Sequence, residues 1–236
     1  MNENYTNSPL SDDDGEKASF VELVTTFVKE HRIAVFIVAF LLVAAVILTV
    51  QGLNKTDYEM YLMYCGPAYA ASSAIYGNIV ESAANACRDG DYAPEVAFST
   101  IVYVSDELAD YYIKEGIEYN GAYNAEALQN FDYALAAGEY CILLLDRSLY
   151  DDTKHLNVFV PLADLDIDTE YAYDEYALEL SKLPLGDKKG FDSLPEDTVL
   201  VLRKMSFIQS IFANKAATNA RYEAQREYFK ALVGHN

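Results

Sequence analysis

The chain has 236 residues, with 37 acidic against 17 basic side chains and a formal charge of −20. So acidic a surface argues against a nucleic-acid partner, which requires basic patches, and against lying flat on anionic lipid. The length beyond the N-terminal fifth suits one globular domain with a single core.

Residues 1–16 are rich in Asn, Ser and Asp and contain Pro9, the composition of a disordered tail. Phe20, Leu23, Val24, Phe27 and Val28 then recur at helical spacing, which predicts an amphipathic juxtamembrane helix over 17–32. Residues 33–50 carry no charge, and Thr49 is the only side chain among them with a hydrogen-bonding group. As a helix this run rises about 27 Å, and Arg32 and Gln51 complete a hydrocarbon core of about 30 Å. Its Leu, Ile, Val and Phe residues favour insertion by roughly 4 to 8 kcal/mol in sum. The run is longer than the apolar stretch of a signal peptide, and no small-x-small cleavage site follows it. Residues 33–51 are therefore expected to be an uncleaved transmembrane helix in contact with the lipid bilayer. Lys29 and Arg32 abut its N-terminal end, whereas Lys55 stands alone beyond it beside Asp57 and Glu59. The positive side stays inside, so the expected arrangement is a single-pass cell-membrane protein with a cytoplasmic N-terminus. A linker at 52–57 leads to an extracellular domain at 58–236, and Tyr58 and Tyr61 are placed at the outer interface.

Beyond the span, strands and helices alternate. Residues 59–65 read as a strand ended by Gly66-Pro67. Ile75, Ile79, Ala83 and Cys87 mark one face of a helix, stopped by Asp89-Gly90. Residues 96–104 are β-rich, and Ser105 caps the short helix that follows. Asn124 is expected to cap a helix with Leu128, Phe131 and Leu135 on one face and Gly138 at its end. Residues 140–145 are a continuous apolar run, the pattern of a strand buried on both sides of a parallel sheet. A brief helix from Ser148 follows, then strands at 158–162, 176–180 and 198–203. A last helix turns Ala224, Tyr228, Ala231 and Leu232 inward. The fold class read from this order is α/β: a single transmembrane helix followed by one three-layer α/β lobe with a mostly parallel sheet.

Tyr61-Leu62-Met63-Tyr64, a helix, a second strand and the segment 124–162 run in an order that resembles one lobe of type 2 extracellular solute-binding proteins. The matching stretch is a helix, Ala137-Gly138-Glu139, an apolar strand, Asp146, a short helix and Phe159-Val160-Pro161-Leu162. The resemblance implies that Leu194-Pro195-Glu196-Asp197-Thr198-Val199-Leu200 and the helix over 222–232 return to the same lobe. A full member grips its solute between two lobes of similar size. Residues 163–197 are too few for a second lobe, and Cys65 lies too far beyond the span for a lipoprotein anchor. Two-lobe trapping and transport duty are therefore not expected.

Ligands of open α/β sheets bind beyond the carboxyl ends of strands. Two such ends are marked here, Gly66 followed by Ser72 and Ser73 near a helix start, and Asp146-Arg147. These five residues form the candidate ligand site, with turn chemistry and an Asp cap as the competing account. Asp164, Asp166, Asp168, Glu170 and Glu175 fall on positions 1, 3, 5, 7 and 12 of a calcium-loop template. Thr169 occupies the place that requires glycine, so a solvated acidic loop is the expectation and no metal is assigned. Cys65, Cys87 and Cys141 sit where thiols act as small buried hydrophobes. A Cys65–Cys87 disulfide is the one pairing weighed for an oxidising compartment. No nucleophile elbow, phosphate loop or dinucleotide fingerprint occurs, and His155 and His235 are the only histidines beyond the span. Neither catalysis nor a cofactor is expected. The reading is a membrane-anchored extracytoplasmic binding or interaction module, a single-lobe relative of solute-binding proteins that touches another membrane protein or a small ligand. The alternative is a structural or assembly subunit with no small-molecule ligand.

Overall fold

The computed structural model describes residues 27–29, 31–53, 58–67, 73–167, 169–205 and 215–234. The chain divides into two compact units, Met1–Thr56 and Asp57–Asn236. In the first unit the expected tail and most of the juxtamembrane helix lie outside the described residues. Helix α1, Arg32–Leu53, has 22 residues and no acidic or basic side chain in its first or last turn beyond Arg32 itself. Among the described residues, no helix is long and apolar enough to cross a membrane.

The second unit is an α/β lobe around five strands: β1 Met60–Gly66, β2 Val96–Val102, β3 Ile142–Asp146, β4 Ala177–Glu179 and β5 Thr198–Leu202. Their spatial order is β2-β1-β3-β5-β4. β1 pairs parallel with β2 and with β3, while β5 runs antiparallel between β3 and β4. The sheet is thus mixed rather than simply parallel. Four strands share one direction and the late strand β5 is inserted against them.

All seven residues of β1 are buried. Because strand side chains alternate, Met60, Leu62 and Tyr64 enter one core cluster and Met63 and Cys65 the other. Helix α2, Ser73–Ala86, brings Ile79 and Ala83 to the first cluster. Helix α4, Gly121–Ala137, brings Phe131 and Leu135 to the second, after the shorter helix α3, Asp106–Glu115. The β1-to-β2 and β2-to-β3 crossovers move in opposite directions across the sheet. Right-handed connections then require their helices on opposite faces, and that gives the three layers. Helix α5, Arg147–Thr153, adds Leu149 and Tyr150 to the second face, and helix α6, Lys215–Val233, adds Phe229 and Leu232 to the first.

Several local expectations are corrected. Residues 158–162 form no strand: only an isolated Phe159–Arg203 bridge is made, because β5 ends at Leu202 and Pro161 has no N–H to continue the ladder. The cap of α4 is Asn120, whose side chain accepts from the N–H groups of Ala122 and Tyr123. The buried stripe of α4 is Ala127, Phe131 and Leu135, and Leu128 is 40% exposed. Tyr61 is buried under Arg221, whose guanidinium lies 4.6 Å above the ring and donates to its hydroxyl, so it does not reach a membrane interface. Cys65 and Cys87 belong to clusters on opposite faces of the sheet, and all three thiols are free.

On α6 Leu232 is buried as expected and Tyr228 packs against the core, but Gln225 and Phe229 lead the inward face. Gln225 is 1% exposed. Its amide oxygen accepts from Tyr61 N at 2.9 Å and its amide nitrogen donates to Glu59 O. It therefore occupies the backbone groups at the entry to β1. Replacing Gln225 with Ala leaves a buried donor and acceptor unpaired. The expected loss is about 2 kcal/mol of unfolding free energy, read from the urea midpoint at constant m-value.

Candidate functional site

The carboxyl ends of β1 and β3 lie side by side, with Cys65 in register with Leu145. Gly66 closes β1 there. A Cβ at that position would collide with the Tyr64 ring, so the glycine is explained by packing. Ser72 lies outside the described residues, and Ser73 opens α2 in its backbone alone. Asp146 is 5% exposed and caps α5. Its Oδ1 accepts from Ser148 N at 2.9 Å and from Ser148 Oγ at 2.5 Å. Arg147 stacks its guanidinium 4.9 Å above the Tyr173 ring. That ring is held in turn by its hydroxyl, which donates to Asp151 at 3.0 Å. Lys154 bridges Asp151 and Asp174, and Tyr150 donates to Asp174 at 2.6 Å. Asp146 and Arg147 are thus engaged in holding α5 against the turn before β4.

Two polar atoms at this end have no partner among the described residues: Arg147 Nε and, in register with Asp146, Thr198 Oγ1. The end is also buried. Burial and the Asp146 charge push the Cys65 thiol up, and burial raises the Tyr103 hydroxyl against the opposing pull of its bond to Ser148. None of the described cavities is lined by Gly66 or Asp146.

Among the described residues no group of three or more His, Cys, Asp or Glu is placed to hold a metal. Asp168 lies outside them. Asp164 falls in a 3-10 turn, Leu162–Leu165, and Asp166 follows it at φ 53°. Leu162, Leu165 and Ile167 are buried between the exposed acids, so this segment contributes to the edge of the core. Cys141 is buried, and its thiol is pushed up to about 11 by burial, with Arg203 and Arg221 pulling the other way. Cys87 donates toward Tyr228 O at 3.5 Å and is pushed up to about 12 by burial.

What sequence reasoning missed is the outer edge of β2. Asn124, one turn inside α4, turns its amide on Val104: Val104 N donates to Oδ1 at 2.8 Å and Nδ2 donates to Val104 O at 2.9 Å. Beside it lie two grooves, of about 290 Å³ and about 380 Å³, both lined by Val102 and Tyr123. Glu118 lines one and Glu126 the other. Tyr111, Ile113, Ile117, Tyr123, Leu128 and Tyr133 on and between α3 and α4 are all at least 40% exposed. A polar residue four places past a cap, aimed at a sheet edge, has no periodic signal in sequence. A further groove of about 550 Å³ runs beside α6 between Tyr58, Arg221 and Tyr228. No protein-family model, no curated protein and no solved structure matches the chain.

Asp146→Ala removes the cap of α5, with an expected cost of about 1–2 kcal/mol measured by urea unfolding. The thiols set an alkaline limit. Their folded pKa values lie above the unfolded value of 9.0, so their contribution is complete below pH 9 and is lost as pH rises toward about 11 for Cys141 and about 12 for Cys87. The urea midpoint is expected to fall between pH 9 and 11, and to fall less in Cys141→Ala relative to that variant's own value at pH 8.

Proposed function

We propose that this chain is a membrane-anchored extracytoplasmic interaction module, a single-lobe relative of solute-binding proteins that contacts another membrane protein. Support for the anchor comes from α1: its 22-residue backbone rises about 33 Å and carries no charge after Arg32. The basic residues preceding it favour a cytoplasmic N-terminus. Support for the lobe comes from β5, which returns to the same sheet between β3 and β4, in line with the return to one lobe that the resemblance implies. Residues 163–197 contribute Leu165, Ile167, Leu178, Leu183, Leu185 and Phe191 to the lobe's own core, which favours one lobe over two.

The observation that carries the function is the contrast between the carboxyl ends of β1 and β3 and the outer edge of β2. Most polar groups at the strand ends are tied into the fold, whereas exposed tyrosines and aliphatics lie on α3 and α4 beside a sheet edge that is unpaired among the described residues. An unpaired strand edge with exposed rings beside it is a surface on which another protein chain can pair. A second reading, a small polar ligand at the end of β3, is favoured by the unpartnered Arg147 Nε and Thr198 Oγ1.

The chain is expected to resist carbonate extraction from membranes of the cells that make it, and to expose its C-terminal part to protease added outside. One membrane protein is expected to co-purify at constant ratio, and Tyr123→Ser with Tyr133→Ser to reduce that ratio at least fivefold. Recovery of free chain trimmed near residue 50 would refute the anchor. A melting-temperature rise of several degrees with one solute class, without a partner, favours the second reading.

A further inference from the structure

β2 is an edge strand: among the described residues it pairs with β1 and nothing else. Tyr103 N donates to Gly66 O, so alternation turns the N–H and C=O groups of Phe98, Thr100 and Val102 outward, together with those of Val104. At Val104 the outward pair is taken by the Asn124 amide, which receives and donates as a peptide group would. At Val102 and Thr100 the same pair opens onto the two grooves. Edge strands are ordinarily blunted by lysine, proline, a bulge or shortness. β2 has seven residues, no lysine, no proline and an unbroken register with β1. The opposite edge, β4, has three residues.

The surroundings select the occupant by charge. From residue 104 to 137, Lys114 is the only basic side chain against seven carboxylates. Glu118 and Glu126 stand on the grooves themselves, and Tyr123 is 57% exposed above them. On the other face of the sheet Tyr76, also exposed, packs against Phe98 with ring centroids 5.1 Å apart. An added strand turns alternate side chains to the two faces, one set toward Tyr123 and Glu126 and the other toward Tyr76. Cationic side chains suit ring faces beside carboxylates. A second copy of this chain brings the same acids opposite each other, and residues 11–16 hold Asp12, Asp13, Asp14 and Glu16, so neither is suited to the edge.

We infer that the outer edge of β2 takes up an extended, lysine- or arginine-bearing segment of a protein partner as a sixth strand continuing the pairing that Asn124 begins at Val104. This deepens the interaction-module reading and rests on it.

The test uses the full chain in nanodiscs and a fluorescent nonapeptide alternating Lys or Arg with Val or Thr. A peptide of equal charge with Pro at alternate positions and a Glu-for-Lys/Arg peptide are the comparisons. The strand-forming basic peptide is expected to bind at least tenfold more tightly than either, with weaker binding at higher salt and slowed amide exchange at Thr100 and Val102. Val102→Pro removes an outward N–H without touching the ladder to β1, and is expected to weaken binding at least tenfold. Glu118→Lys with Glu126→Lys is expected to weaken it about tenfold and to flatten the salt dependence. Equal binding of the proline peptide, or unchanged exchange at Val102, overturns the inference and leaves adsorption to an acidic surface. The exchange measurement decides even where Val102→Pro fails to fold. Retention of the co-purifying membrane protein by Val102→Pro overturns the edge while leaving the interaction module standing.

Discussion

The burial of β1 on both faces is the constraint from which the lobe follows. A strand with no solvent side must be flanked by strands on both edges and covered by helices on both faces. β2 and β3 supply the edges, and the opposed crossovers through α2 and α4 supply the covers. Gln225 closes the arrangement by pairing with backbone at the strand's entry, where a helix packed on a sheet would otherwise strand two buried polar groups. The last helix is thus tied to the first strand across 164 residues.

This construction has a consequence for polar chemistry. At the carboxyl ends of β1 and β3, Asp146 caps a seven-residue helix and Arg147 lies on Tyr173, so their polar atoms largely serve the join between α5 and the turn before β4. The surface left free is elsewhere, along β2 and over α3 and α4. There the acidic surplus of the chain meets exposed rings, and there the proposed cationic strand would lie.

Much of the fold is legible in the residues. The Ser105 cap is found where expected, with Leu108 N donating to it, and Gly138 ends α4 in the left-handed conformation. In the apolar run at 140–145, residues 141–145 are buried as read, while Tyr140 is half-buried and the strand itself is Ile142–Asp146. The errors have one origin. The strand expected at 158–162, the exposed Leu128 and the buried Gln225 of α6 are cases where a local pattern fits two faces or two states. The neighbouring element then chooses: the end of β5 meets 158–162 at the single Phe159–Arg203 bridge, the sheet meets α4 along Ala127 and Phe131, and β1 draws Gln225 inward.

By itself the sequence determined the alternation of strands and helices, the uncharged run of 33–50, the acidity and the confinement of the chain beyond it to a single lobe. These are properties of composition and of periods of two and 3.6 residues, which survive in any register. Tertiary structure alone decided that β5 runs antiparallel inside the sheet, that Cys65 and Cys87 face away from each other, that Asp146 is a cap, and that Asn124 pairs with Val104. Each depends on which distant segment lies opposite, and strand order and crossover hand carry no local signature in the residues they join.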